Sequence, residues 1–229
     1  MPVYQLTDSI IFPNPELAGK DGLIAYGGDL SSHRIIEAYG NGIFPWYSEE
    51  QPILWWSPDP RMVLFPSNFK KHKSLRQVVN SKKFKVTFDC NFSEVINSCA
   101  TISRPGQDGE TWITNDMIDA YTNLHTMGIA HSVEVHYKDN IVGGLYGLSL
   151  GGCFFGESMF HVMRDASKVA LWFLVEKVTK WNFDLIDVQQ ETDHLRSMGA
   201  ISVKRKEFLH LLTMSMKKTG KKGKWNELI

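Results

Sequence analysis

The chain has 229 residues, of which 43% are hydrophobic and 22% charged, and its 25 basic residues are balanced by 25 acidic ones. That composition suits one large packed domain, or a small domain joined to a medium one, and excludes extended disorder. Zero net charge argues against a protein that coats long nucleic acid, but leaves room for a local basic patch because a field depends on distribution as well as total.

Three cysteines, Cys90, Cys99 and Cys153, form no CxxC pair, which points away from a disulfide framework or a zinc knuckle. The opening residues lack a basic segment followed by an apolar one, so no signal peptide is expected. No apolar run approaches the roughly 20 residues that span a bilayer. The expectation is a cytoplasmic protein without membrane attachment. Eight histidines show no HExxH or similar spacing, so no metal is expected. Neither GxxxxGK[ST] nor a strand-linked GxGxxG occurs, so no ATP or dinucleotide cofactor is expected either. Ser158 lacks the GxSxG elbow of hydrolases. What remains is a reaction whose substrate arrives already activated.

In chain order, residues 12–60 are rich in turns and aromatic rings, punctuated by Pro13, Pro15, Pro45, Pro52, Pro58 and Pro60. One helix fits there, capped by Ser31 or Ser32, with Ile35, Ile36 and Tyr39 on one face and a stop at Gly40 or Gly42. This stretch reads as a small separate unit ending near Arg61. Phe84, Val86 and Phe88 then alternate as in a half-buried strand. Phe92, Val95, Ile96 and Cys99 suggest a helix, and Thr114 caps another that carries Ile118, Tyr121 and Leu124 and stops at Gly128. Three strand-like runs, 132–137, 141–148 and 153–160, are separated by short turns and predict an antiparallel meander. Residues 166–181 form the clearest helical pattern. Residues 184–189 return as a strand, 193–198 as a short helix, 201–203 as a short strand, and Phe208, Leu211 and Leu212 mark a last helix. The order is that of an α+β protein.

Four features carry chemistry. Glu157 stands in an otherwise apolar strand beside Phe154, Phe155 and Phe160, and a desolvated carboxylate is costly to keep without a use. Strand alternation puts Glu157 and Met159 on one face and Ser158 on the other. Asp187 and Gln189, two apart, share a face with Leu185, while Ile186 and Val188 share the opposite one; if this strand lies beside that of Glu157, three polar groups converge on one cleft. Tryptophans 46, 55 and 56 lie within eleven residues. Buried rings there would make a core for a domain too small to build an aliphatic one, whereas exposed rings would stack on a base, and Trp112 is a second candidate for that role. Between residues 70 and 85 stand Lys70, Lys71, Lys73, Arg76, Lys82, Lys83 and Lys85 with no acid among them, a pattern suited to phosphate contact. The lysines of the tail, from Lys217 to Lys224, read as a solvated, frayed end.

The ordered set GGDL (27–30), GIFPWY (42–47), WWSPDPR (55–61), TWIT (111–114), HSVEV (131–135), VGGLYG (142–147), GESMF (156–160), ASK (166–168) and DVQ (187–189) resembles the leucyl/phenylalanyl-tRNA–protein transferase family from about residue 10 to residue 212. The resemblance implies a small N-terminal domain, 1–61, followed at 62–229 by a GNAT-type acyltransferase domain with a mixed, mainly antiparallel sheet. It implies transfer of Leu or Phe, and less readily Met, from aminoacyl-tRNA to proteins beginning with Arg or Lys, which marks them for N-end-rule degradation. By the same resemblance, Trp46 and Trp112 would stack on the 3′-terminal adenosine. Leu145, Phe154, Leu171, Leu174, Val178 and Ile186 would line the side-chain pocket, and Glu157, Asp187 and Gln189 would form the catalytic centre. The basic residues Lys70, Lys71, Lys73, Arg76, Lys82 and Lys83 would meet tRNA, and a monomer is expected.

An aminoacyl ester needs no ATP, metal or covalent enzyme intermediate to react with an amine. The α-amino nucleophile has an ordinary pKa near ~8, and holding it against the ester supplies several kcal/mol of rate enhancement. Asp187 and Gln189 are expected to orient the amine and accept its proton, and Glu157 to hold the reacting groups and favour a cationic first residue. Two rival readings are an acetyl-CoA-dependent acetyltransferase and a non-catalytic RNA-binding module. The first needs a glycine-rich pyrophosphate turn, and residues 164–169 contain no glycine. The second leaves Glu157 unexplained.

Overall fold

The computed structural model describes residues 2–102 and 111–226. The first strands, β1 (Tyr4–Leu6), β2 (Leu23–Gly27), β3 (Phe44–Pro45) and β4 (Leu54–Trp56), make a small sheet in the order β1-β2-β4-β3. β1 and β2 are parallel and the other pairs antiparallel. Trp55 lies fully buried at its centre and donates its indole N–H to the Gly27 carbonyl at 2.9 Å. The one helix of this unit, α1 (Ser32–Gly40), starts where Ser31 Oγ accepts the Arg34 N–H. It serves two cores at once. Ala38 packs with Trp55, while Ile35 and Tyr39 enter the main core beyond.

The main sheet has seven strands in the order β11-β5-β10-β9-β8-β7-β6. They are β5 (Arg61–Leu64), β6 (Lys85–Phe88), β7 (Ala130–Tyr137), β8 (Asn140–Leu150), β9 (Cys153–His161), β10 (Leu185–Gln189) and β11 (Ile201–Val203). Five of its pairings are antiparallel and one, β9 with β10, is parallel. The expected meander is β7-β8-β9, and the strand carrying Asp187 does lie beside the strand carrying Glu157. Helices cover both faces. On one side α5 (Ala166–Lys180) buries Val169, Leu171, Trp172, Leu174, Val175 and Val178 at helical spacing against Val133, Leu145, Phe154 and Ile186. On the other, α3 (Phe92–Thr101), α4 (Asn115–Thr126) and α7 (Arg205–Ser215) pack with α1 on Tyr146, Leu148 and Phe155. Thr114 caps α4 as expected, accepting the Met117 N–H. A short α6 (Asp193–Ser197) follows β10.

Parts of the chain differ from the sequence reading. No strand was expected at β1 to β5. Residues 73–80, a charge run whose ordinary explanation is a solvated helix face, form α2 (Lys73–Asn80), a short amphipathic helix whose one buried residue is Leu75. The tail is not frayed. Its lysines face outward, but Trp225 is fully buried, stacked 4.0 Å from the His131 ring, and donates its backbone N–H to Asp89 at 2.7 Å. A lysine-rich composition concealed one anchoring ring.

Candidate active site

β9 and β10 run side by side for only three pairs, Leu185 with Cys153, Ile186 with Phe154 and Asp187 with Phe155. Each strand then bulges. In β9, Tyr146 pairs with Ser158 and Gly147 with Gly156, so Glu157 is an extra residue with no partner across the ladder. In β10, Asp187 pairs with Val63 and Gln189 with Met62, so Val188 is the extra one. A bulge redirects a side chain and reverses the alternation beyond it. Gly147 is needed opposite the first bulge, because a Cβ there would collide with the Phe155 carbonyl and the Phe154 ring. Where the strands part, a cavity of about 430 Å³ opens.

The cavity has an apolar end and a polar one. Leu145, Phe154, Met159, Leu171, Leu174, Ile186, Val188 and Leu195 line the first; Glu157, Ser158, Gln189, Gln190, Thr192 and His194 line the second. Phe44, Pro45, Trp46 and Trp112 complete the wall. Trp46 is 38% exposed and meets the Trp56 ring edge to face, with centroids 5.7 Å apart. Its loop is held by the Trp56 indole N–H, which donates to the Trp46 carbonyl at 2.7 Å. Tyr47 Oη and Thr114 Oγ1, 3.3 Å apart, tie the two tryptophan-bearing segments together.

The polar end is built as a chain of supports. Arg61 and Asp187, both fully buried, pair through two contacts: Arg61 Nε donates to Asp187 Oδ1 at 2.9 Å and Nη2 to Oδ2 at 2.7 Å. Arg61 also donates to the Gly42 carbonyl and lies over the Phe44 and Phe208 rings. Asp187 Oδ1 accepts the Gln189 N–H at 3.0 Å, which holds Gln189 in the left-handed region at φ 60°. Gln189 Nε2 then donates to Glu157 Oε1 at 2.9 Å. Tyr39 donates to the same oxygen at 2.7 Å and Tyr121 to Oε2 at 3.1 Å. Burial is the main cause that pushes Glu157 up to about 7; the donors from Tyr39, Gln189 and Tyr121 pull the other way. Both tyrosines are raised well above the usual phenol range, first by burial and then by the nearby carboxylate, so they stay neutral donors.

Of the residues singled out by sequence, Glu157, Gln189, Trp46, Trp112, Leu145, Phe154, Leu171, Leu174 and Ile186 meet at one cavity. Asp187 does not reach it. With the bulge, Ile186, Val188 and Gln189 line the cavity, whereas Asp187 is outside its lining and pairs with Arg61. Strand parity had grouped Asp187 with Gln189, and the bulge breaks that parity. Val178 is one turn too far along α5 and is buried in the core without lining the cavity. The basic residues 70, 71, 73, 76, 82 and 83 are exposed on and around α2; Lys71 pairs with Glu176 at 3.1 Å and lies over Trp172. Tyr39, Tyr121 and Arg61 were missed as site residues. Both tyrosines sit in apolar helical stripes, where periodicity cannot tell a phenol used for its ring from one used for its hydroxyl.

A sequence profile described as leucyl/phenylalanyl-tRNA protein transferase matches residues 63–213, and one for that transferase's N-terminal domain matches residues 28–59. The chain is 50% identical over 226 residues to a leucyl/phenylalanyl-tRNA–protein transferase of Desulforapulum autotrophicum, covering 98% of each chain. It belongs to the leucyl/phenylalanyl-tRNA–protein transferase family. A Legionella pneumophila member is 53% identical over 215 residues, which is 94% of this chain and 96% of that one. Among solved structures, an aminoglycoside acetyltransferase from an uncultured soil sample overlaps 52% of this chain and 88% of its own, with 13% identity and a TM-score of 0.38. Membership makes the chain an aminoacyltransferase that uses charged tRNA and a protein acceptor. Among the described residues no helix is long and apolar enough to cross a membrane.

Proposed function

We propose that this transferase moves Leu or Phe, and less readily Met, from aminoacyl-tRNA to proteins whose first residue is Arg or Lys, and so marks them for N-end-rule degradation. The observation that carries this reading is the two-ended cavity beneath the tryptophans. An ester entering it can lay an apolar side chain among Leu145, Phe154, Leu171, Leu174 and Ile186 while its carbonyl stays by Glu157 and Gln189. Trp46 and Trp112 stand on the same wall and suit a terminal adenosine, a stacking contact of roughly 1–3 kcal/mol per base. Exposed Asp193 stands between the lining residues Thr192 and His194 and offers a carboxylate to a cationic first residue, whereas Glu191 is already paired with Arg196.

Residues 1–61 act as a small domain that delivers Tyr39 to Glu157 and Trp46 to the cavity, and 62–229 as the acyltransferase domain. The enzyme works as a cytoplasmic monomer. Gln189 orients the acceptor amine. Aminolysis of the ester is favourable in itself, so positioning and proton removal are the catalytic tasks. Pocket volume separates side chains differing by one methylene only about 10–200-fold, which is why Met is a weaker substrate and not an excluded one.

The test is a transfer assay with tRNA charged with Leu, Phe, Met or a polar amino acid, and peptides beginning with Arg, Lys or Ala. Leu174→Asp places a charge at the apolar end and is expected to abolish transfer of Leu and Phe while charged tRNA still binds. Unchanged transfer by this variant would assign the side chain to another pocket.

A further inference from the structure

Tyr39 from α1, Tyr121 from α4 and Glu157 from β9 meet as a triangle of oxygens. Tyr39 Oη lies 2.7 Å from Glu157 Oε1, Tyr121 Oη lies 3.1 Å from Oε2, and the two hydroxyls are 2.6 Å apart. Every side of the triangle is at hydrogen-bond distance, and each needs one proton to be a hydrogen bond. The two hydroxyls bring two protons. An ionised Glu157 brings none, so one side is always left with lone pair facing lone pair. A proton on the carboxyl completes the ring: Glu157 Oε2–H donates to Tyr121, Tyr121 to Tyr39, and Tyr39 to Oε1. Gln189 Nε2 can donate to Oε1 in either state. The site is one proton short when ionised, and Glu157 lines the cavity.

We propose that Glu157 takes the proton that the acceptor's α-ammonium gives up so that the amine can attack the aminoacyl ester, with Tyr39 and Tyr121 as positioning residues that complete a hydrogen-bonded ring around the proton-bearing carboxyl. This rests on the functional reading above and supplies the proton acceptor that Asp187, turned away and paired with Arg61, does not. The balance is complete. The ammonium loses one proton to the Glu157 carboxylate, and the resulting amine attacks the carbonyl carbon, forming the C–N bond. The C–O bond to the ribose breaks, a second nitrogen proton goes to the departing ribose oxygen, and the third stays on the new amide. Glu157 then returns its proton to solvent through the cavity mouth.

The surroundings favour a group that can hold a proton and release it. Burial raises Glu157 and the three donors lower it, to a balance at about 7. The groups facing it are Tyr39 and Tyr121, both neutral; Tyr146 of β8, edge-on to Tyr121; Asp187 of β10 with its partner Arg61 of β5; and His194 of α6 on the cavity wall. His194 is lowered, first by burial and then by Lys168 and His161. Among the described residues no Lys or Arg pairs with Glu157, so nothing pins it in the charged form.

Three measurements test the assignment. Glu157→Gln can donate to Tyr121 where the carboxyl O–H would, so it keeps the ring but cannot accept a proton. Its single-turnover transfer from Leu-charged tRNA should fall about 100-fold or more, without loss of Leu-tRNA binding, and the limb of the pH–rate profile that Glu157 contributes should vanish, leaving only that of the acceptor amine near ~8. Tyr121→Phe removes a donor from the ionised form, so transfer persists with the acidic limb moved to higher pH. The third reads stability instead of activity. A carboxyl raised in the fold above its unfolded value contributes stability at acid pH, lost as pH rises through about 7. The denaturant midpoint of the unaltered chain should therefore drop relative to Glu157→Gln between about pH 5 and about pH 8. Wild-type rates and an unchanged limb in Glu157→Gln, or midpoints that stay parallel, would overturn the proposal. Absence of transfer by the unaltered chain, from any charged tRNA, would instead overturn the assignment of the reaction and this step with it.

Discussion

Two carboxylates on neighbouring strands, Asp187 fully buried on β10 and Glu157 half-buried on β9, have opposite surroundings. Asp187 meets a guanidinium in a fork of two hydrogen bonds, with aromatic rings over the cation, and stands outside the cavity lining. Glu157 meets two phenols and an amide, lines the cavity and, among the described residues, has no cation paired with it. A paired charge in a closed, hydrogen-bonded setting fixes geometry. A carboxylate supported only by neutral donors remains free to exchange a proton. The difference separates the part of this site that holds shape from the part that meets substrate, although both parts belong to one line of contacts, Arg61 to Asp187 to Gln189 to Glu157.

The strongest way to break that contrast is to remove one half of the ion pair. Arg61→Ala leaves Asp187 buried without its cation, and truncating one member of such a pair costs roughly 3–5 kcal/mol. Chemical denaturation should show that loss directly. The double replacement Arg61→Met with Asp187→Leu should recover much of it, since a buried pair and a well-packed apolar pair of similar volume are often close in stability. Asp187→Asn with stability intact and transfer reduced several-thousandfold would instead put Asp187 into the chemistry and erase the distinction.

The legibility of the molecule divides along the same line. Wherever pattern repeats, the sequence foretold the structure: α5 and its apolar spacing, the β7-β8-β9 meander and the Thr114 cap. The adjacency of β9 and β10 was only a condition of the sequence reading, and the structure meets it. The cavity was legible because Glu157 interrupts an apolar run and because nine of the residues named from sequence line it. What sequence could not carry was the pair of bulges. A bulge adds one residue without altering composition, yet it turned Asp187 away and brought Gln189 forward. Tyr39 and Tyr121 lie 82 residues apart and were hidden for another reason, since no local pattern records that two hydroxyls meet. Trp225 was hidden by its neighbours, five tail lysines that read as solvent-exposed.

A smaller effect sharpens the contrast at the cavity. Trp112→Ala removes a cavity-wall ring that is only partly buried, so most of its cost should appear in substrate binding and little in stability. Loss of one base-stacking ring weakens binding by about 1–3 kcal/mol. Titration of Leu-charged tRNA should show that weakening while the denaturant midpoint stays near that of the unaltered chain. A variant that unfolds easily but binds normally would move Trp112 to the structural side.

The smallest effect concerns the exposed face of α2, which belongs to neither carboxylate. Lys73 and Arg76 lie in a stretch with no acid between residues 70 and 85, and both are exposed. Lys71 is partly spent on Glu176 and Trp172, so it is the less available cation of the group. If α2 meets the tRNA backbone, each phosphate deprived of its cation lowers the slope of log affinity against log salt by about 0.7–0.9. Lys73→Ala should thus reduce the salt slope by a little under one, weaken charged and uncharged tRNA alike, and leave the rate of transfer from bound substrate unchanged. Cavity variants should do the reverse and change rate or side-chain preference at a constant salt slope. A Lys73→Ala chain with the unaltered slope would take α2 out of the tRNA footprint, and its basic run would then be a solvated helix face that helps solubility and little else.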